Sequence, residues 1–191
     1  MARTGMTTLI STVRDLGVAG TADYTLGTTV YWTDDQLQTI LDRNLLTVPR
    51  EELVSVSSYD GGTLVYKEYR SAYGNYEATT GGTAIFEIED AVGSTIGTAN
   101  WTMDYALGIL TFATNTAGSS YFLTGKSYDI YRAASNVWSM KAGHHSGAVD
   151  FSTDNMTVKR GQIIQNDREM ANYYAGMGRP IIIEFDRNDT Y

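Results

Sequence analysis

His144 and His145 are the two histidines of a chain that has no cysteine. Adjacent residues do not share a helix face, whereas two imidazole ligands on one helix need a spacing of three or four. Flanked by Gly143, Ser146 and Gly147, the pair is expected in a solvated loop, with neither a metal nor a catalytic role. Glu87 and Glu89 have a better spacing for acid–base chemistry, since alternation places both on one face of a strand, with Asp90 beside them. Acidic residues on an exposed sheet face are the commoner arrangement, so a glycosidase-like enzyme stands as a rival reading. No serine sits in a nucleophile elbow, and Gly81-Gly82-Thr83 lacks the lysine of a phosphate-binding loop. The leading expectation is a chain with no catalytic site, no metal and no cofactor that is not an enzyme, against which the glycosidase-like reading is the rival.

Tyr59, Tyr66, Tyr69, Tyr73, Tyr76 and Trp101 lie in or beside the middle of the chain. They could form a platform for sugars, although aromatic residues in small β modules also serve as core and cross-strand pairs. A carbohydrate- or host-surface-binding β module is therefore the other rival. The best binding candidate is the end of the chain, residues 179–191. Ile181, Ile182, Ile183 and Phe185 follow Arg179 and Pro180, and such apolar side chains are costly to leave in water. With Glu184 and Tyr191 these residues make up a docking interface. A terminal piece of this kind either extends its own sheet or adds a strand to a partner.

The balance of charge narrows the partners. A net charge of −8 argues against gripping a phosphate backbone, which draws on Lys and Arg. An acidic wall past which DNA slides without sticking has this sign. Without cysteine there is neither a disulfide nor a thiolate zinc site. The opening Met1-Ala2-Arg3-Thr4-Gly5-Met6 has no long apolar run behind it, so no secretory signal is expected. Nor does any segment approach the roughly 20 apolar residues needed to span a bilayer. The expectation is a soluble protein made in the cytoplasm, with no membrane partner.

Helical periodicity occurs near both ends. Met6, Leu9, Ile10, Val13 and Leu16 share one stripe and Gly17 stops it. A polar connector is expected over 20–29. Thr33-Asp34-Asp35-Gln36 then has the form of a capping box, with two carboxylates at the positive end of the helix dipole. Leu37, Ile40, Leu41 and Leu45 form its buried stripe and Pro49 closes it. Helical spacing returns at Ala134, Val137, Trp138 and Lys141, breaks at 143–147, and resumes over 158–177. The stripe of that last helix is Ile163, Ile164, Asp167, Met170, Ala171, Tyr174 and Met177, with Asp167 as its one polar intruder.

Between these helices the period changes to two. A hairpin is predicted from Val54 and Val56 through the turn Asp60-Gly61-Gly62 to the strand 63–70. Further strands are expected at 85–89, 94–98, 101–104, 107–112, 121–124 and 128–131. Their number and spacing suggest an antiparallel barrel or sandwich. The fold class is therefore α+β: a small helical bundle module from 1–50 and 132–178, an inserted antiparallel β barrel or sandwich over 51–131, and an extended C-terminal arm, 179–191.

Several segments also carry a family resemblance. Val149-Asp150-Phe151-Ser152-Thr153-Asp154-Asn155-Met156-Thr157-Val158-Lys159-Arg160-Gly161-Gln162, running on to Met170-Ala171-Asn172-Tyr173-Tyr174, resembles the end of the head–tail adaptor (connector) proteins of long-tailed bacteriophages. Tyr31-Trp32-Thr33-Asp34-Asp35-Gln36-Leu37 looks like that family's first capped helix. Asp104-Tyr105, Gly108, Leu110-Thr111-Phe112 and Tyr128-Asp129-Ile130-Tyr131 are similar to a β insertion that some members carry. Asn155 stands where the family often has glycine, and Gly161 where serine is usual.

The resemblance implies a virion protein made in the host cytoplasm and placed in the neck, between capsid and tail. It implies a homo-oligomeric ring, usually a dodecamer, between the portal protein and a stopper or tail-completion protein. Double-stranded DNA would pass through the ring without specific binding. Family members commonly hold the portal with a C-terminal arm, to which 179–191 correspond by position.

Overall fold

The computed structural model describes the backbone of residues 2–21, 23–26, 28–78, 86–146, 151–153, 156–158 and 160–179, and side chains outside 151–160. Helix α1 (Thr7–Leu16) is entered through a 3-10 turn at Thr4–Met6. Of the expected stripe, Met6, Leu9, Ile10 and Val13 are buried and Leu16 is partly buried against them. The stretch expected as a polar connector instead forms a short antiparallel hairpin, β1 (Tyr24–Leu26) with β2 (Thr29–Tyr31). Tyr24 and Tyr31 pair across it with stacked rings, a cross-strand contact that local polarity conceals.

Helix α2 (Asp34–Asp42) starts with the predicted capping box: Gln36 N donates to Thr33 Oγ1, and Thr33 N to Gln36 Oε1. It ends earlier than Pro49. Asn44 Nδ2 donates back to the Ile40 carbonyl at 2.8 Å, and Leu45, expected on the helix stripe, opens strand β3 (Leu45–Glu52). Partnership with a later strand overrides the helical spacing there, and Pro49 lies within β3, which is an edge strand where proline is tolerated.

The middle of the chain builds β4 (Val54–Asp60), β5 (Thr63–Arg70), β6 (Glu87–Asp90), β7 (Trp101–Asp104), β8 (Ile109–Phe112) and β9 (Tyr121–Tyr128). They form an antiparallel sheet of order β3-β9-β6 and another of order β4-β5-β8-β7. Gly61 and Gly62 both take positive φ at the predicted hairpin turn. The two sheets share one core of Val48, Tyr69, Ile88, Leu110 and Leu123 with their neighbours, so the arrangement is sandwich-like and no barrel closes. The strand expected at 94–98 is reduced to a single bridge between Thr95 and Glu89. The strands expected at 121–124 and 128–131 are replaced by β9, which ends at Tyr128.

Asp129 then caps helix α3 (Ile130–His145), its Oδ1 accepting from Arg132 N at 2.9 Å. This helix runs through Gly143 rather than breaking there. Ile130, Ala133 and Val137 enter the core built by α1, Trp32 and α2, and the larger side chains, Ile130 and Val137, each contribute about 1.5–3 kcal/mol by burial. Trp138 Nε1 donates to the Leu16 carbonyl at 3.1 Å, and the buried Lys141 Nζ to the Val18 carbonyl at 2.6 Å. The helices on either side of the strands are thus one packed body.

A second hairpin, β10 (Phe151–Thr153) with β11 (Met156–Val158), precedes helix α4 (Arg160–Met177). Val158, expected as its first residue, ends β11. Helix α4 packs along α3. Of its predicted stripe, Asp167 and Ala171 are buried, while Ile163 and Met177 are exposed.

Candidate functional site

Arg3, ahead of α1, and Arg179, just beyond α4, both reach the last residues of β9. Three local features prepare the place. Asn75 takes a positive φ and turns the loop after β5 back toward β9, so that its carbonyl accepts from Tyr128 N at 3.0 Å. Glu77 N donates to the Lys126 carbonyl at 2.9 Å. Glu51 of β3 braces the start of the same loop by accepting from Ser71 Oγ and Ala72 N.

On one side of this seam Tyr128 Oη donates to Glu77 Oε2 at 2.7 Å. Arg3 donates from Nε to Glu77 Oε1 at 2.8 Å and from Nη2 to Asp42 Oδ1 at 2.7 Å. Glu77 and Tyr128 are fully buried, and a carboxylate removed from water needs such partners to stay charged. Burial pushes the Tyr128 phenol above its ordinary value, reinforced by its hydrogen bond to Glu77 and opposed by the charge of Arg3. Hydrogen bonds first to Asp42 and then to Glu77 raise Arg3 further into its charged range.

On the other side Arg179 donates from Nη2 to Ser127 Oγ at 2.6 Å and to the Gly74 carbonyl at 3.2 Å. Its backbone N donates to Asp129 Oδ2 at 2.7 Å. Asp129 therefore caps α3 with one oxygen and holds the end of α4 with the other. The seam ties Arg3, Glu77 and Asp129 to fixed partners inside the molecule and holds Arg179 through Nη2, an arrangement suited to fastening, while the buried Nη1 of Arg179 has no hydrogen-bond partner among the described residues. Its members were not among the residues singled out from sequence, apart from Arg179. By sequence, Tyr128 and Asp129 are only part of a strand expected at 128–131, and the helix cap at Asp129 is seen in the structure alone.

The other sequence candidates are dispersed. His144 and His145 occupy the last turn of α3, not a loop. The His144 ring stacks on Tyr24 at 3.8 Å, and His145 Nδ1 lies 2.7 Å from the buried Asp167 Oδ2. The polar intruder of α4 thus has a partner on α3. Glu87 accepts from Thr95 Oγ1, and Glu89 pairs with Arg50 at 3.1 Å, so each carboxylate of the proposed dyad has its own neighbour. Tyr69, Tyr76 and Trp101 are buried, Tyr66 and Tyr73 half-buried, and Tyr59 is 78% exposed. They do not share one surface. Gly81, Gly82 and Thr83 lie outside the described residues, as do Pro180, Ile181, Ile182, Ile183, Glu184, Phe185 and Tyr191.

Surface grooves flank α1. One, toward α2, is lined by Arg3, Arg14, Ser11 and Asp34, where Arg14 pairs with Asp34 at 2.7 Å. Another lies between Gly5, Leu9, Met103 and Asp104. Among the described residues, no group of three or more His, Asp or Glu is placed to hold a metal ion. No helix there is long and apolar enough to cross a membrane. No protein-family model, curated protein or solved structure matches this chain.

Proposed function

We propose that this chain is a structural protein of the head–tail adaptor kind, a ring subunit joining a capsid portal to a stopper or tail-completion protein in the virion neck. The observation that carries the reading is the shared core of α1, α2 and α3. It makes the strands between them an insertion in a helical module, which is the organisation that the resemblance implies. The seam at β9 adds support, because Arg179, first residue of the segment expected to dock, is fixed there by Asp129 and Ser127.

In this reading the protein performs no reaction and works by mechanical coupling through repeated interfaces. The net charge of −8 suits a channel wall that DNA passes without sticking. Residues 180–191 reach the portal, and Arg179, expected in the docking interface, serves as their root.

The test mixes the purified chain with portal rings and images the mixture by negative stain. The full-length chain is expected to decorate the rings. A chain ending at Arg179 is expected to keep its melting temperature and lose decoration. Normal decoration by the shortened chain, or none by the full one, would overturn the proposal.

A further inference from the structure

Helix α4 packs along α3, held by the His145–Asp167 pair and by stacking of Tyr131 on Tyr174 at 6.5 Å. Arg179, just beyond its end, faces a different set of neighbours. Its acceptors are Ser127 at the end of β9, Gly74 in the loop after β5, and Asp129 at the start of α3, and its guanidinium lies 5.4 Å from the Tyr73 ring centroid. Gly178 permits this approach, since a Cβ there would sit 3.1 Å from Asp129 Oδ2.

We infer that Arg179 is a clasp that couples the end of α4 to the β sheets, so that the last helix and the 73–76 loop are stabilised as one unit. Both bonds leave the one nitrogen Nη2, at the end of a side chain one atom longer than that of lysine, and the flat guanidinium also faces the Tyr73 ring, so an ammonium at this position reproduces only part of the contact. Whatever pulls on the chain after Arg179 then loads the junction between the two cores instead of peeling α4 from α3. The clasp rests on the same Arg179 contacts that support the connector reading, but it is tested within the isolated chain and can fail or hold without it.

The experiment is amide hydrogen exchange on the full chain. Arg179→Ala is expected to speed exchange about tenfold both in residues 171–178 and in the 73–76 loop, with α1 and α2 unchanged. Arg179→Lys should restore only part of this protection. Ser127→Ala, which removes an acceptor from the far side, is expected to loosen residues 171–178 although it lies on β9; it decides the question if Arg179→Ala does not fold. Protection of 171–178 that is unchanged in Ser127→Ala, or loosening of α4 in Arg179→Ala without any change at 73–76, would overturn the clasp.

Discussion

Arg3 Nε and Glu77 Oε1 meet at 2.8 Å across a separation of 74 residues, with the Glu77 side chain wholly removed from solvent. The pair joins the start of the helical body to the loop that crosses β9. Removing Arg3 strands a buried carboxylate with Tyr128 as its remaining side-chain partner. Arg3→Ala is therefore expected to cost about 2–3 kcal/mol, below the range for a fully buried pair because Arg3 keeps part of its side chain in water. Urea unfolding measures this directly, and a loss under about 0.5 kcal/mol would show that the pair holds little.

The same seam sets an alkaline limit. Burial, then the hydrogen bond to Glu77, raise the Tyr128 phenol above its ordinary value of 10.0. Burial likewise raises Tyr76, and pushes Tyr24 up to about 12. A group whose folded pKa is raised binds its proton more tightly in the native state. Its contribution is complete below the unfolded value and is lost as pH climbs through the folded one. Melting temperature should thus decline above pH 10, and Tyr128→Phe should decline less steeply over that interval. Parallel curves for the two proteins would remove Tyr128 from this account.

His145 and Asp167 make a second prediction about partners. Asp167 is buried in α4, so His145→Ala deprives its carboxylate of a cross-helix bond and should destabilise the chain by about 1–3 kcal/mol. Asp167→Leu replaces the carboxylate with an apolar side chain of similar reach and should cost less. Limited proteolysis near α4 would report the order, and equal sensitivity of the two variants would contradict it.

The parts legible in sequence are those whose cause is local. The α1 stripe and the Thr33–Gln36 box depend on residues three and four apart, and the Asp60-Gly61-Gly62 turn on its own φ angles. The readings that failed depend on distant partners. Leu45 fits the α2 stripe by spacing, yet pairs with Tyr128. Tyr128 to Tyr131 has strand propensity, yet Asp129 caps a helix there because Ile130, Ala133 and Val137 complete a core begun by α1. The seam was hidden for the same reason: Arg3, Glu77 and Tyr128 have no short spacing among them. Nearby glycines point to a loop at His144 and His145, but α3 runs through His145 and packs along α4.

Two glycines give the last test, with opposite signs. Gly108 takes φ +71 in the β7–β8 turn, and a Cβ there would collide with the Tyr73 carbonyl oxygen. Its own carbonyl accepts from Ser71 N at 2.9 Å, so the turn has little room to move away from the loop that carries Tyr73. Gly108→Ala is expected to cost about 2–4 kcal/mol. Gly143, inside α3, has nothing within 4 Å of the position its Cβ would take. Gly143→Ala should stabilise by up to about 1 kcal/mol, since alanine loses less backbone entropy in a helix. Thermal unfolding of the two variants distinguishes them: a neutral Gly108→Ala would mean that the β7–β8 turn does not press on the 71–76 loop, and a destabilising Gly143→Ala would mean that α3 ends before His145.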